Sequence, residues 1–110
     1  MPYRELTPQE ALARYQSGEA VVVDVRTLSE WRGGHIPGAT HIPLHELPAR
    51  YQELDPEAEV LVVCAHGIRS AAAGQWLAQV GFENVANVRR GMSAWPGPVE
   101  LADGTTVWNA

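Results

Sequence analysis

The chain has 110 residues and a formal net charge of -5, with 45% hydrophobic residues, 19% charged residues and a single cysteine. All eight cationic side chains are arginine, so Schiff-base chemistry and the P-loop lysine of nucleotide binding are excluded. One cysteine likewise rules out an internal disulfide, a C-x-x-C redox pair and a cysteine zinc cage, and the acidic balance argues against nucleic acid or anionic membrane as partners.

Met1 to Leu6 leads directly into a helix signal. Thr7 is placed to cap, Pro8 takes the first helical position and Glu10 the third, and Ala11, Leu12 and Tyr15 follow at helical spacing until Gly18. Ala20 to Val25 is a β-branched run suited to a strand buried on both faces, with Asp24 near its carboxyl end. A short helix is expected over Leu28 to Arg32. Gly33, Gly34, Pro37 and Gly38 then force a loop before a short strand at Thr40 to Ile42. Leu47, Tyr51 and Leu54 share one helical face and predict a helix from Glu46 to Leu54, with Pro48 in its first turn. Val60 to Val63 is the second strong strand and delivers Cys64. Ser70 to Val80 reads as a helix stopped by Gly81, Val85 to Val88 as a further strand, and Met92 to Trp95 as a short helix. In the tail, Asp103-Gly104 between apolar-bearing runs predicts a type I′ hairpin or an extended arm.

This alternation predicts an α/β fold: one domain over residues 1–110 with a core over 1–96, an arm over 97–110, and a central, mostly parallel sheet of about five strands with helices on both faces. Ligands of such sheets sit beyond the carboxyl ends of the strands, where Asp24 and Cys64 both fall. No apolar stretch reaches signal-peptide or membrane-spanning length, so a cytoplasmic protein without membrane association is expected.

Cys64 ends a strand, and Ala65, His66, Gly67, Ile68, Arg69 and Ser70 carry the chain into the next helix. Free amides and the positive end of a helix dipole, with Arg69 and His66 close in sequence, favour thiolate over thiol and make Cys64 the candidate nucleophile. Gly67 allows the loop to curl, so its amides can cradle an anion or a polarised sulfur. Read without these features, a strand-end cysteine is simply a small buried hydrophobe.

Four stretches carry a resemblance: V-V-D-V-R-T-L-S-E-W at Val22 to Trp31, G-H-I-P-G-A-T-H-I-P at Gly34 to Pro43, C-A-H-G-I-R-S at Cys64 to Ser70, and G-M-S-A-W at Gly91 to Trp95. The chain resembles the single-domain rhodaneses, the rhodanese-like sulfurtransferases. The resemblance implies that Cys64 accepts a sulfane sulfur from a donor such as thiosulfate, carries it as a persulfide, and passes it to cyanide, a thiol or a protein such as a thioredoxin-like or sulfur-carrier partner. No cofactor is implied. The amides of residues 65–70 would form the cradle, and Arg69 and His66 would supply positive character. Cys64 to Arg69 spans six residues, where the related cell-cycle phosphatases have one more, which disfavours a phosphatase reading. Ala65 stands where many members carry arginine, and Arg90 where a glycine is frequent.

Asp24, Arg26 and His35 are read as supporting residues: the aspartate tying the strand end to neighbouring backbone, the arginine pairing with an acid such as Glu30, the histidine fixing its loop. A metal site at His35, His41 and His45 is disfavoured, because Pro37, Gly38 and Pro43 break any shared helix and no carboxylate spacing matches. Trp31, Trp76 and Trp95 are expected in the core, while Trp108 is free to cover a sheet edge or meet a partner. The alternative to an enzyme is a non-catalytic rhodanese-like binding or sulfur-relay module.

Overall fold

Thr7 and Thr27 open the first two helices with the same device. Each threonine hydroxyl accepts from the amide three residues on, and the glutamate there, Glu10 or Glu30, accepts from the threonine's own amide at 2.9 or 3.0 Å. The computed structural model describes residues 2–108; residues 1, 109 and 110, the ends of the expected domain and arm, lie outside the described residues.

Chain order is β1 (Tyr3–Leu6), α1 (Pro8–Gln16), β2 (Ala20–Asp24), α2 (Leu28–Arg32), β3 (Thr40–His41), α3 (Leu47–Arg50), β4 (Glu59–Val63), α4 (Ile68–Gln79), β5 (Val85–Val88), β6 (Pro98–Glu100) and β7 (Thr106–Trp108). Five strands form one parallel sheet in the order β1-β5-β4-β2-β3. Its two faces are both covered. Val23, Val60, Val62 and Cys64 pack under α3 and α4 with Leu47, Ala73 and Leu77. Val22, Leu61 and Val63 face the other way, toward Ala11 and Tyr15 of α1 and the buried Trp95. Alternation along β4 thus puts Cys64 on the α4 face.

The fifth strand of the sheet is β1, which the sequence reading passed over. Two of its four residues are charged and only Leu6 is buried, because an edge strand needs only one neighbour and tolerates polar side chains. The expected helix from Glu46 to Leu54 is three short pieces, a 3-10 turn at Leu44–Glu46, α3, and a second 3-10 turn at Tyr51–Glu53. Pro48 is accommodated in the first turn of α3, and the break comes at Arg50, which at φ -125 opens the last turn outside helical geometry. Met92 to Trp95 is likewise a 3-10 turn, at Gly91–Ala94.

The tail folds as the antiparallel β6/β7 hairpin, tied to the loop between α2 and β3 where His35 and Glu100 exchange amide bonds of 3.1 and 2.7 Å. Its turn is not type I′. That turn needs two consecutive residues at positive φ, and only Gly104 (φ 86) has one; Gly104 donates to the Leu101 carbonyl and Leu101 to that of Thr105, closing a three-residue loop with a left-handed glycine. Trp108 ends β7 with 60% of its surface exposed, opposite Pro98 and off the edges of the main sheet.

Candidate active site

Parallel register aligns the strand ends: His41 lies opposite Asp24, and Asp24 opposite Val63, so the Asp24 corner and Cys64 are neighbours. Beyond Val63 the chain turns sharply. Gly67 takes φ 92, and a Cβ there would meet the Arg90 amide nitrogen at 2.9 Å. The adjoining segment is pressed closer still: a Cβ on Gly91 would lie 2.1 Å from the Cys64 carbonyl oxygen. Only glycine fits, and the Met92 and Ser93 amides then donate to the Cys64 and Ala65 carbonyls at 2.8 and 3.0 Å. Those bonds leave the inner side of the loop free to point its own amides at sulfur.

Cys64 is 1% exposed, and its Sγ accepts from the Gly67 amide at 3.1 Å, the Ser70 amide at 3.3 Å and the Ser70 hydroxyl at 3.2 Å. Burial pushes the thiol pKa up, but the Ser70 hydroxyl and the amides of Ser70, His66 and Gly67 outweigh it and hold the thiol below its ordinary value. The sulfur is therefore stabilised by fixed neutral dipoles. Ile68, the first residue of α4, is 80% exposed, and His66 is exposed beside it.

The arginine of the loop is placed differently from expectation. Arg69 is fork-bonded to Glu30, with both contacts at 2.8 Å, instead of standing as a free cation over the sulfur. The Arg69 guanidinium, joined by the Thr27 cap, holds the Glu30 carboxyl down at about 2 against the opposing effect of burial. Arg26 consequently does not pair with Glu30. It pairs with Asp24, through contacts of 2.7 and 3.0 Å, and its remaining reach goes to the Gly34 carbonyl at 2.8 Å. Asp24 also accepts from the Arg26 amide at 3.0 Å, so a carboxylate with no exposed surface is fully occupied. The reason is length: a guanidinium two residues from Asp24 reaches it within the corner, while Glu30, on the rim of α2, faces across to α4.

His35 Nδ1 lies 3.0 Å from the Trp31 carbonyl, and its ring stacks on Trp31 at 3.6 Å between centroids, with His41 stacked at 4.7 Å. Trp31 is thus half-buried and stacked with two imidazoles rather than in the core, whereas Trp76 packs partly buried against the core, edge-on to Tyr51, and Trp95 is buried. Among the described residues no group of three or more His, Cys, Asp or Glu is arranged to hold a metal ion. No helix among them is long and apolar enough to cross a membrane.

The family model for the Rhodanese-like domain matches residues 7–97. The chain belongs to the rhodanese-like family. Relatives of this rhodanese-like domain include a thiosulfate sulfurtransferase, GlpE, of Pseudomonas entomophila (strain L48), 38% identical over 104 residues and spanning 93% of this chain and 94% of the relative. A putative sulfur carrier protein, YrkF, of Bacillus subtilis (strain 168) is 40% identical over 79 residues, which cover 72% of this chain and 43% of that protein. Among solved structures, a rhodanese-related protein from Thermoplasma volcanium superimposes with a TM-score of 0.78 at 32% identity, over 84% of this chain and 90% of that one. Arg90 holds φ 63, a left-handed conformation that costs a side-chain-bearing residue about 1–2 kcal/mol, which explains the glycine frequent at that place. Glu30, expected beside Arg26, frames the site by engaging Arg69 instead, and two residues that the sequence did not single out, Asn87 and Glu5, stand behind Ser70. A polar side chain inside the apolar run Val85 to Val88 was the available signal for Asn87.

Proposed function

We propose that this rhodanese-like domain is a sulfurtransferase that moves a sulfane sulfur from a donor such as thiosulfate, through a persulfide on Cys64, to a thiophilic acceptor. The observation that carries the reading is the buried Cys64 sulfur, ringed by donors from Gly67 and Ser70 in a loop of six residues. Thiolate Sγ attacks the outer sulfur of thiosulfate; a new S–S bond forms, the donor's S–S bond breaks, and its electron pair leaves with sulfite. The acceptor then attacks the outer sulfur of the persulfide. With cyanide a C–S bond forms, the S–S pair returns to Sγ as thiolate, and thiocyanate leaves, so neither oxidant nor cofactor enters the balance.

The amides of residues 65–70 form the cradle, and recognition of an anionic donor rests on them and on His66, with Arg69 acting from within its bridge to Glu30. Asp24, Arg26 and His35 hold the corner rather than react. A single thiol with no internal partner must hand its sulfur outward, and a reducing compartment, the cytoplasm, keeps it free to do so. A second reading, sulfur relay to a protein, is favoured by the 80% exposure of Ile68 in the loop and by the likeness to a putative sulfur carrier protein. The tail hairpin would then serve as an arm on a single domain.

Incubation with thiosulfate should raise the intact mass by one sulfur, located on Cys64. Cys64→Ser should lose that adduct and cyanide-dependent thiocyanate formation together; an undiminished rate in the serine variant overturns the assignment. Thiocyanate formation close to zero in a wild-type protein that still loads sulfur would favour relay over the small-molecule reaction.

A further inference from the structure

Ser70 has one hydroxyl proton and two acceptors within reach, Cys64 Sγ at 3.2 Å and Asn87 Oδ1 at 2.6 Å. The hydrogen-bond network decides which end of the Asn87 amide faces Ser70. Its nitrogen lies 2.9 Å from Glu5 Oε1 and 3.2 Å from the Gly67 carbonyl, both acceptors, so both amide protons are committed and the oxygen must face Ser70. Sheet register builds this row: Glu5 on β1 lies opposite Asn87 on β5, and Asn87 opposite Val62 on β4, two residues before Cys64. Ser70 and Asn87 are 0% and 2% exposed, so water does not substitute for either partner.

We propose that Glu5 is a positioning residue for the reacting sulfur: by holding the Asn87 amide in one orientation, it draws the Ser70 proton toward Asn87 and away from Cys64. Ser70 is then a two-position donor. With Sγ bonded to hydrogen or to a second sulfur, the proton rests on Asn87 and the Ser70 oxygen faces sulfur with its lone pairs. With Sγ anionic, the hydroxyl swings to the sulfur and leaves the Asn87 oxygen bare. Glu5 thereby opposes premature ionisation of Cys64 and keeps the fourth donor in reserve for the moment at which the S–S pair returns to Sγ. The other titratable or charged groups around this row are Tyr3, whose phenol donates to Glu5, and Arg89, 3.8 Å from Glu5; at the sulfur end they are Arg69 with Glu30, Asp24 near Arg69, and His66 in the loop.

The role rests on Cys64 being the reacting group, yet it is tested without any sulfur donor, by the pH dependence of Cys64 alkylation with iodoacetamide. Ser70→Ala should raise the midpoint by about one pH unit, because a donor to the anion is lost. Glu5→Gln should lower it by about half a unit, equivalent to about threefold more thiolate below the midpoint, since a glutamine lets the Asn87 amide turn over. In the Ser70→Ala background that second shift should vanish. An equal shift in both backgrounds means plain charge removal and overturns the role, as does an unchanged midpoint in Glu5→Gln. Glu5→Asp is the independent check should Ser70→Ala fold poorly: it keeps the charge but withdraws it from the amide, lowering the midpoint if contact matters and leaving it unmoved if only charge does. Failure of sulfur transfer with these shifts intact would overturn the proposed function and not the positioning role.

Discussion

Two neighbouring strands end in polar corners, and they solve opposite problems. At the end of β2 a buried carboxylate meets a guanidinium and an amide inside the same turn, so every charge is answered locally. At the end of β4 the sulfur meets only neutral donors, and the nearest arginine in sequence is bridged to Glu30 instead. Both corners are buried, but the first carries a compensated charge and the second leaves the sulfur without a counter-charge of its own. The same place in a parallel sheet thus yields framework or chemistry according to whether the charge is compensated in the folded chain.

Substitutions that fall on one corner only would sharpen this contrast. Cys64→Ser should abolish thiocyanate formation while changing stability by less than about 1 kcal/mol, because the hydroxyl keeps the same donors; urea unfolding beside the activity assay separates the two effects. Arg26→Ala should do the reverse, costing about 3–5 kcal/mol in the same unfolding experiment by leaving the Asp24 carboxylate buried and unpaired. A loss under 1 kcal/mol would show that the β2 corner is not the compensated unit described. Gly91→Ala presses on the frame between them: a Cβ 2.1 Å from the Cys64 carbonyl must displace the loop, so stability should fall by about 2–4 kcal/mol and alkylation of Cys64 should change with it.

The smallest effect concerns the Glu30–Arg69 bridge, whose partners are 33% and 36% exposed and which is worth at most about 1 kcal/mol. Its sign follows from the depressed carboxyl. Because Glu30 titrates lower in the folded chain than in the unfolded one, its stabilisation is complete above the ordinary carboxylate range and is lost as pH falls toward about 2. Glu30→Gln, which keeps the cap on Thr27, should lower stability at neutral pH and flatten the acid limb of a pH–stability curve; an unchanged acid limb would remove the bridge from the account.

The strands at Ala20–Asp24, Glu59–Val63 and Val85–Val88 were legible because burial on both faces of the sheet makes them mostly apolar and β-branched. Thr7 and Gly67 were legible because caps and tight turns require particular residue types. What escaped was decided by partners distant in sequence. β1 is strand only because β5 offers it a register, and a four-residue edge with two charges carries no periodic signal of its own. The exchange of arginine partners depended on which acid each guanidinium could reach in space, a matter of relative placement between α2 and α4. Asn87 was visible as a polar interruption, but its meaning required Ser70 on one side and Glu5 on the other.

Gly67 and Ser70 spend their amide protons on a sulfur atom instead of a carbonyl oxygen. An oxygen acceptor in a helix or ladder is inert, whereas under the proposed function this acceptor changes its charge and its bonding partner during each cycle. The backbone nitrogen resonances of these two residues are therefore built-in indicators, expected to move when Cys64 ionises or is loaded while those of Met92 and Ser93, bound to carbonyls on the far side of the same loop, stay still. A nitrogen-15 amide spectrum of the resting protein would read the state of the thiol directly, with no reagent added to the sulfur.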